Sequence, residues 1–309
     1  MTKKWTRYPK RTFYAFIGPW AIGFVLLTAA PMVYGFLVSL TNFDGSSSRW
    51  RWVGLSNYAE LFGDGEAWAA LLRTLGLTAL LVPLSVAGSL GLATIINRRL
   101  RAVGLWRTLF FLPSVVPVVA MAIMWKLVFN KDAGIVNAIL GVASIKPIAW
   151  LVDPTAFYAL VVLMLWGVGG GMVIMLAALQ GVPVELEEAA VVDGANKWTV
   201  FRNVTLPMIS PVVFFAVITG VIGVLQVFIQ PLLLTNAAGA AQIGQVPTSN
   251  RLYMVQVYQE FFLNNRFGYG SAMLWVFFVI ILTLTIVLLR SSRSWVYYEV
   301  DTEAEGATR

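Results

Sequence analysis

Six apolar runs of roughly 20 residues or more constrain what this chain can fold into. A run of that length is what an α-helix needs to cross the ~30 Å hydrocarbon core of a bilayer. The runs lie at about 13–40, 74–96, 105–129, 156–180, 211–235 and 271–290. Charged residues are 12% of the chain, about half the usual share of soluble domains. The sequence therefore predicts an all-α integral membrane protein with six transmembrane helices.

The distribution of Lys and Arg predicts how the spans are oriented. Basic residues crowd the segment before the first run and the segment between the second and third runs, while the loops at 41–70, 130–154 and 236–270 carry few. Since positive loops stay in the cytoplasm, both termini are expected there. We expect a cytoplasmic N-terminus over 1–12, a transmembrane domain over 13–290 and a cytoplasmic tail over 291–309. The first run is longer than the apolar region of a signal peptide, so we expect it to be retained.

Several kinds of chemistry are excluded by composition. The chain has no Cys and no His, and it lacks the glycine-rich phosphate-binding pattern of nucleotide-binding loops. Inside the six runs there is no Asp or Glu; Arg73 and Lys126 lie near run ends. Ion-coupled transport usually needs an intramembrane ionisable residue. We therefore predict no catalytic residue, no metal site and no enzyme. The net charge of +7 reflects topology signals, so no nucleic-acid partner is expected either.

A polar stretch, "GVPVELEEAAVVDGANKWTVFRNVTLP" (181–207), separates the fourth and fifth runs. Pro183 suits the start of a helix, and the acids after it suit the positive end of the helix dipole. Gly194 can adopt the left-handed conformation that ends a helix. Asn196 can cap a second short helix that ends before Pro207. The sequence predicts a helix–turn–helix on the cytoplasmic side, within a loop over 181–210.

The first of these helices is apolar on two sides. Leu186, Ala189 and Ala190 share an arc of about 100°, and valines lie among the acids on the other side. One interpretation is that the helix enters a groove on a partner protein. The other is a helix resting on lipid, but such helices favour Lys and Arg on the polar face, and this one carries Glu three times. The composition favours a protein partner.

The same stretch resembles the EAA signature, E-A-A-x3-G-x9-I-x-L-P, of permease subunits of bacterial ATP-binding-cassette importers. The matching residues are Glu188, Ala189, Ala190, Gly194, Leu206 and Pro207. Val204 stands where the signature prefers Ile. "PMVYGFLVSLTNFDG" (31–45) and "WVGLSNY" (52–58) are similar to segments of one branch, the larger maltose-importer permease and the glycerol-3-phosphate permeases.

The resemblance implies the type I importer fold in the bacterial inner membrane. It implies a second, distinct permease subunit, a homodimeric cytoplasmic ATPase that binds ATP-Mg, and an extracytoplasmic solute-binding protein; no cofactor is implied on this chain. The 181–210 loop would then be the coupling loop that docks on the ATPase. The residues implied for coupling are Glu187, Glu188, Ala189, Ala190, Asp193, Gly194, Leu206 and Pro207. The outer segment 236–250 departs from the family, which has a Gly-rich loop there, so it is either a changed binding-protein surface or an ordinary flexible loop.

Amide and aromatic side chains are the expected contacts for a sugar in the pathway. The candidates are Gln226, Phe228, Gln230, Trp166 and Asn236. Gln226 and Gln230 would share one face of a helix; the alternative is a hydrogen bond that only holds two helices together. The run Gly167–Gly171 either allows close helix packing or opens backbone to a solute.

The resemblance thus implies a permease subunit of an ATP-driven importer of sugars (di- or oligosaccharides). The subunit would form half of the translocation pathway and couple to the ATPase through the EAA loop. The same machinery carrying glycerol-3-phosphate or another phosphate ester is the alternative, although such cargo would favour more basic residues in the spans. A membrane assembly subunit without a transport path is disfavoured by the coupling signature.

Overall fold

The computed structural model describes residues 10–46, 50–98, 101–235 and 245–297. Within these ranges the chain is helical, and its only extended pairing is an isolated bridge between Thr41 and Trp52. Four helices are long and apolar enough to cross a membrane, or six spans result if each of two bent pairs counts as one. An all-α membrane fold is therefore confirmed.

The helices before the polar stretch are α1 (Lys10–Phe24), a π-helical turn (Val25–Ala29), α2 (Ala30–Ser39), α3 (Ser56–Gly63), α4 (Gly65–Ile96), α5 (Val103–Val115), α6 (Val118–Val128), α7 (Ile135–Val142), α8 (Ala156–Leu165) and α9 (Gly169–Gln180). Those that follow are α10 (Val184–Val192), α11 (Lys197–Val200), α12 (Leu206–Met208), α13 (Ser210–Leu225), α14 (Ile229–Leu233), α15 (Tyr253–Phe262) and α16 (Phe267–Ser291). α4 begins before the predicted start at 74, because Gly65 to Arg73 continue the helix beyond the most apolar part.

Two of the predicted spans are interrupted rather than continuous. The run 105–129 is split into α5 and α6, which meet at 98°. Val116, between them, is extended because it precedes Pro117. The run 211–235 is split as well: α13 ends at Leu225, and the backbone leaves helical geometry before α14. Hydropathy stays high through both breaks, so the apolar runs alone did not reveal them.

The chain divides into two compact units. The first comprises residues 1–64 and 257–278, and the second comprises 65–256 and 279–309. In the first unit the span Arg11–Ser39 buries none of its most apolar window against the chain. Its outer surface is therefore free to face lipid or another protein.

In the second unit α4 packs against α9 and α13. Leu77, Leu81, Leu160 and Leu163 are fully buried in one core cluster. Part of the glycine run lies where helices approach closely: a Cβ on Gly169 would overlap the Phe110 carbonyl of α5, and one on Gly171 would press on Ser89 of α4. This arrangement favours the packing interpretation of the run 167–171.

Two polar side chains organise the segments between the membrane helices of this unit. The Asn137 amide donates to the carbonyls of Lys131 and Ile148 at 2.9 and 2.8 Å. The Asp153 carboxylate accepts backbone N–H groups from Thr248, at 2.7 Å, and Ser249, at 3.1 Å. Burial alone would raise the pKa of Asp153, but these hydrogen bonds outweigh it, and the pKa lies below its ordinary value. The segment after residue 245 is thereby attached to the segment before α8.

Candidate coupling site and pathway residues

The polar stretch folds as two helices joined by a tight turn. α10 starts after Pro183, whose φ of −60° and ψ of 126° are those of a residue just outside a helix. Glu185 and Glu187 occupy its first turn, where the dipole favours acids. α11 starts after Asn196, whose side chain accepts the Thr199 N–H at 2.9 Å. The predicted helix–turn–helix and the Asn196 cap are confirmed.

The turn depends on Gly194. Its φ is +85°, in the left-handed region that disfavours residues with a Cβ. The Ala195 N–H donates to the Ala190 carbonyl and the Gly194 N–H donates to the Val191 carbonyl, both at 3.0 Å. This pair of bonds is a Schellman motif, which satisfies carbonyls at the end of α10. A Cβ at Gly194 would meet no atom within 4 Å, so backbone conformation, not space, requires glycine here.

The second helix does not end before Pro207, and that prediction is wrong. A π-helical turn (Phe201–Thr205) follows α11, and α12 continues through Pro207 to Met208. Leu206 stays helical, with φ −64° and ψ −42°. A proline inside a helix removes one backbone hydrogen bond, and the segment is irregular around Pro207, with the π-helical turn before it and the bend after it. The direction changes only at Ile209, where the axis bends by 67° into α13.

A hydrogen bond that the sequence did not reveal ties the two helices together. The Thr205 hydroxyl donates to the Glu187 carboxylate at 2.7 Å. Thr205 is buried, and it lies just before the bend into α13. α10 is thereby linked to the base of α13 by a side-chain contact as well as by the chain.

The two apolar sides of α10 have different surroundings. Val184 and Val191, with Glu187, line a pocket of about 1310 Å³, which is also lined by the end of α4 from Ala87 onward and by Asn97 and Arg98 just after it. Leu186, which is 46% exposed, and Ala189 do not line it. Trp198 of α11 also lines this pocket and is 67% exposed. The Leu186–Ala189 side therefore remains an uncovered apolar surface.

The predicted pathway residues lie at or near the breaks. Gln226 directly follows α13 as its C-cap residue, and its side-chain amide donates to the Ile222 carbonyl at 3.2 Å. Phe228, with a φ of −145°, interrupts the helix before Gln230 in α14. Gln226 and Gln230 thus belong to different helices, and the predicted shared helical face is wrong. Asn236 lies outside the described residues.

Trp166 belongs to an aromatic group that sequence analysis only partly identified. Its ring lies 5.9 Å from that of Trp125 in a T-shaped arrangement, and Trp125 is 5.1 Å from Phe129. The Trp125 indole N–H is buried without an acceptor among the described residues. α6, which carries Trp125, packs against α14. The two interrupted spans therefore meet, as is usual where irregular backbone at membrane depth is buried or lines a cavity.

Comparison with known proteins decides the family. Residues 79–298 match the family described as binding-protein-dependent transport system inner membrane component. The chain belongs to that family. It is 36% identical over 294 residues to the probable ABC transporter permease protein YesP of Bacillus subtilis, covering 94% of this chain and 93% of the relative. It is also 34% identical over 243 residues to the trehalose/maltose transport system permease protein MalF of Thermococcus litoralis, covering 78% of this chain and 80% of the relative.

Solved structures agree on the fold. A chain of a bacterial ABC transporter involved in the import of the acidic polysaccharide alginate superposes with a TM-score of 0.78 at 22% identity, covering 91% of this chain and 95% of that one. A second structure of a bacterial alginate ABC transporter, in complex with a pentasaccharide-bound periplasmic protein, gives a TM-score of 0.79 at 22% identity and covers 94% and 96%. The predicted importer permease fold is confirmed.

Proposed function

We propose that the chain is one of two permease subunits of an ATP-driven sugar importer in the bacterial inner membrane, which receives its cargo from an extracytoplasmic solute-binding protein. Relatives named for trehalose/maltose, lactose and starch degradation products support sugar as the cargo class. The alginate transporter bound to a periplasmic protein supports the binding-protein partner. ATP-Mg binds to a homodimeric ATPase, and this chain supplies half of the pathway.

The observation that carries the proposal is the coupling element formed by α10 and α11. α10 presents the uncovered Leu186–Ala189 side, while Glu188 and Trp198, which are also exposed, lie on the side of the pocket. The Schellman turn and the Glu187–Thr205 hydrogen bond make α10 move with the base of α13. When the ATPase dimer closes, a push on α10 is thus transmitted to a helix that leads directly to the break at Gln226.

The pathway is proposed to pass beside α6 and α14, where the two interrupted spans pack against each other. Gln226, Phe228, Gln230 and the Trp125–Trp166 pair offer amides and aromatic faces to a sugar. Asn236 remains a candidate from its position in the sequence.

A phosphorylated cargo is less well supported by the basic residues near the spans. The positive charge of Arg73 is already paired within the chain, since its guanidinium lies 3.2 Å from the Glu66 carboxylate and donates to the Arg251 carbonyl at 3.1 Å. Lys126 also has an interaction partner within the chain. This chain therefore offers little free positive charge there, and a neutral sugar is favoured over glycerol-3-phosphate.

The test is purification in gentle detergent through an affinity tag on this chain, with mass spectrometry of every co-purifying subunit. We expect a second permease and an ATPase in a 1:1:2 ratio, and vanadate-sensitive ATP hydrolysis by the complex. A captured solute-binding protein would then identify the cargo by the sugar that it retains. A chain that purifies without an ATPase even after cross-linking would contradict the proposal and favour an assembly subunit.

A further inference from the structure

Helix α3 (Ser56–Gly63) is fastened to the end of the first membrane span. The Asn57 amide is buried and donates to the Ser39 and Thr41 carbonyls, each at 2.8 Å. The Tyr58 hydroxyl lies 2.7 Å from that of Ser39, the last residue of α2. An isolated antiparallel bridge between Thr41 and Trp52 also joins the segment that precedes α3 to the residues just after α2.

The other end of α3 is fastened to the start of the last span. The Tyr269 hydroxyl donates to Asp64, which follows α3, and the Arg266 guanidinium forms an ion pair with Glu60. Tyr269 lies in the first turn of α16. The Gly268 N–H donates to the Phe43 carbonyl at 2.9 Å, which joins the two attachment regions to each other.

These attachments place α3 along a membrane surface. The first span runs from Arg11 to Ser39, 29 residues, which is about 43 Å of helix and enough to cross the bilayer with some tilt. In a six-span chain the end of the first span and the start of the last lie on the same side of the membrane. A helix tied to both points therefore runs between them at the level of the lipid headgroups.

The side of α3 opposite the buried Asn57 and Leu61 is apolar and exposed. Leu55 is 70% exposed and Phe62 is 63% exposed, and Ala59 lies between them at helical spacing. Trp52, at the anchored approach, is 60% exposed. The acidic residue of α3, Glu60, does not belong to this side, because it forms an ion pair with Arg266. We call Trp52, Leu55, Ala59 and Phe62 the apolar stripe.

We propose that α3 is an interfacial helix whose apolar stripe inserts into the headgroup and upper acyl region of the lipid leaflet. Continuity with the first span argues for lipid, because that span is itself apolar, uncovered by the chain and ends at the α3 anchors. The aromatic residues suit the membrane interface, where Trp is enriched. Lipid insertion removes from water an apolar surface that would otherwise stay exposed. With the orientation expected from the distribution of Lys and Arg, the leaflet is the outer one.

The experiment is depth measurement by spin labelling. The chain has no Cys, so single cysteines can be introduced at Phe62→Cys and, as the matched control on the exposed polar side of the same helix, Ser56→Cys. The complete transporter is placed in nanodiscs of phosphatidylethanolamine and phosphatidylglycerol. Collision of the nitroxide with oxygen, which concentrates in the bilayer, is compared with collision with a water-soluble nickel chelate.

We expect the oxygen-to-nickel collision ratio to be several-fold higher at position 62 than at position 56. Equal ratios dominated by nickel would overturn the proposal and place the stripe in water, where it could meet the solute-binding protein. A label at 62 that neither reagent reaches in the complete transporter would also overturn it, in favour of the second permease. If Phe62→Cys does not assemble, Leu55→Cys reads the same stripe. None of these outcomes depends on which solute is carried.

Discussion

Gly194 is the residue whose conformation decides whether α10 can end where it does. Its φ of +85° allows the two hydrogen bonds of the Schellman turn, one from the Gly194 N–H to the Val191 carbonyl and one from the Ala195 N–H to the Ala190 carbonyl. We expect Gly194→Val to abolish most uptake while the protein still inserts and assembles. A left-handed conformation costs an ordinary residue about 1–2 kcal/mol, and a β-branched side chain tolerates it worst. The measurement is uptake of the cognate solute by cells, alongside ATP hydrolysis by the purified complex.

The matched control at this position is Gly194→Asn, because asparagine adopts the left-handed region more readily. It should retain most of the uptake that Gly194→Val loses. A valine variant that transports normally would remove the turn from the mechanism. If both variants lose uptake equally, the ATPase contact tolerates no side chain at this position. The clash would then be with the ATPase, because this chain has no atom within 4 Å of a Cβ there.

Residues of this loop show what a sequence can and cannot predict at this scale. The turn at Gly194 and the cap at Asn196 follow from local backbone chemistry, and both are confirmed. The helix starts one residue later than predicted, at Val184, with Pro183 just outside it. The hydrogen bond from Thr205 to Glu187 joins residues 18 positions apart. Nothing local distinguishes that glutamate from Glu185 or Glu188, so only the folded arrangement identifies it.

At the scale of elements, hydropathy predicts the number of membrane-crossing segments but not their interruptions. α5 and α6 form one apolar run, and so do α13 and α14, yet each pair is broken. Pro117 marks the first break; the second follows Gln226 with no proline before Pro231. The error about a shared Gln226–Gln230 face arose because helical spacing was assumed across a segment that is not helical.

Gln226 is a stronger pathway candidate than Gln230, because it lies at the break after α13 and Gln230 lies within α14. We expect Gln226→Ala to raise the concentration of solute-loaded binding protein needed for half-maximal ATPase stimulation roughly five-fold, which corresponds to one lost hydrogen bond of about 1 kcal/mol. Basal hydrolysis should not change. The assay uses the complete transporter in proteoliposomes.

Thr283→Ala is the matched control, because that exposed hydroxyl also bonds to a carbonyl four residues earlier, at Val279, but lies within an unbroken helix. It should leave stimulation unchanged. If neither Gln226→Ala nor Gln230→Ala shifts the stimulation curve, both amides serve packing only, and the pathway passes elsewhere.

At the scale of the whole molecule, the apolar runs and the EAA signature were enough to predict the importer permease fold, and the comparisons confirm it. The sequence did not predict that residues 257–278 join residues 1–64 in one compact unit. That association rests on contacts between distant segments, such as the ion pair of Arg266 with Glu60. Pairing of this kind is not encoded in any local pattern.

The orientation of the chain is the whole-molecule prediction on which coupling depends. Single cysteines at Ser46→Cys and Lys146→Cys should react with a membrane-impermeant maleimide in spheroplasts, whereas Glu185→Cys should react only after lysis. The reason is the crowding of Lys and Arg in the N-terminal segment and the second loop, which holds both in the cytoplasm. All three positions are exposed, so access depends on the side of the membrane. Labelling of Glu185→Cys in intact spheroplasts would place α10 where no ATPase can reach it, and the proposed coupling would fail even though the family assignment stands.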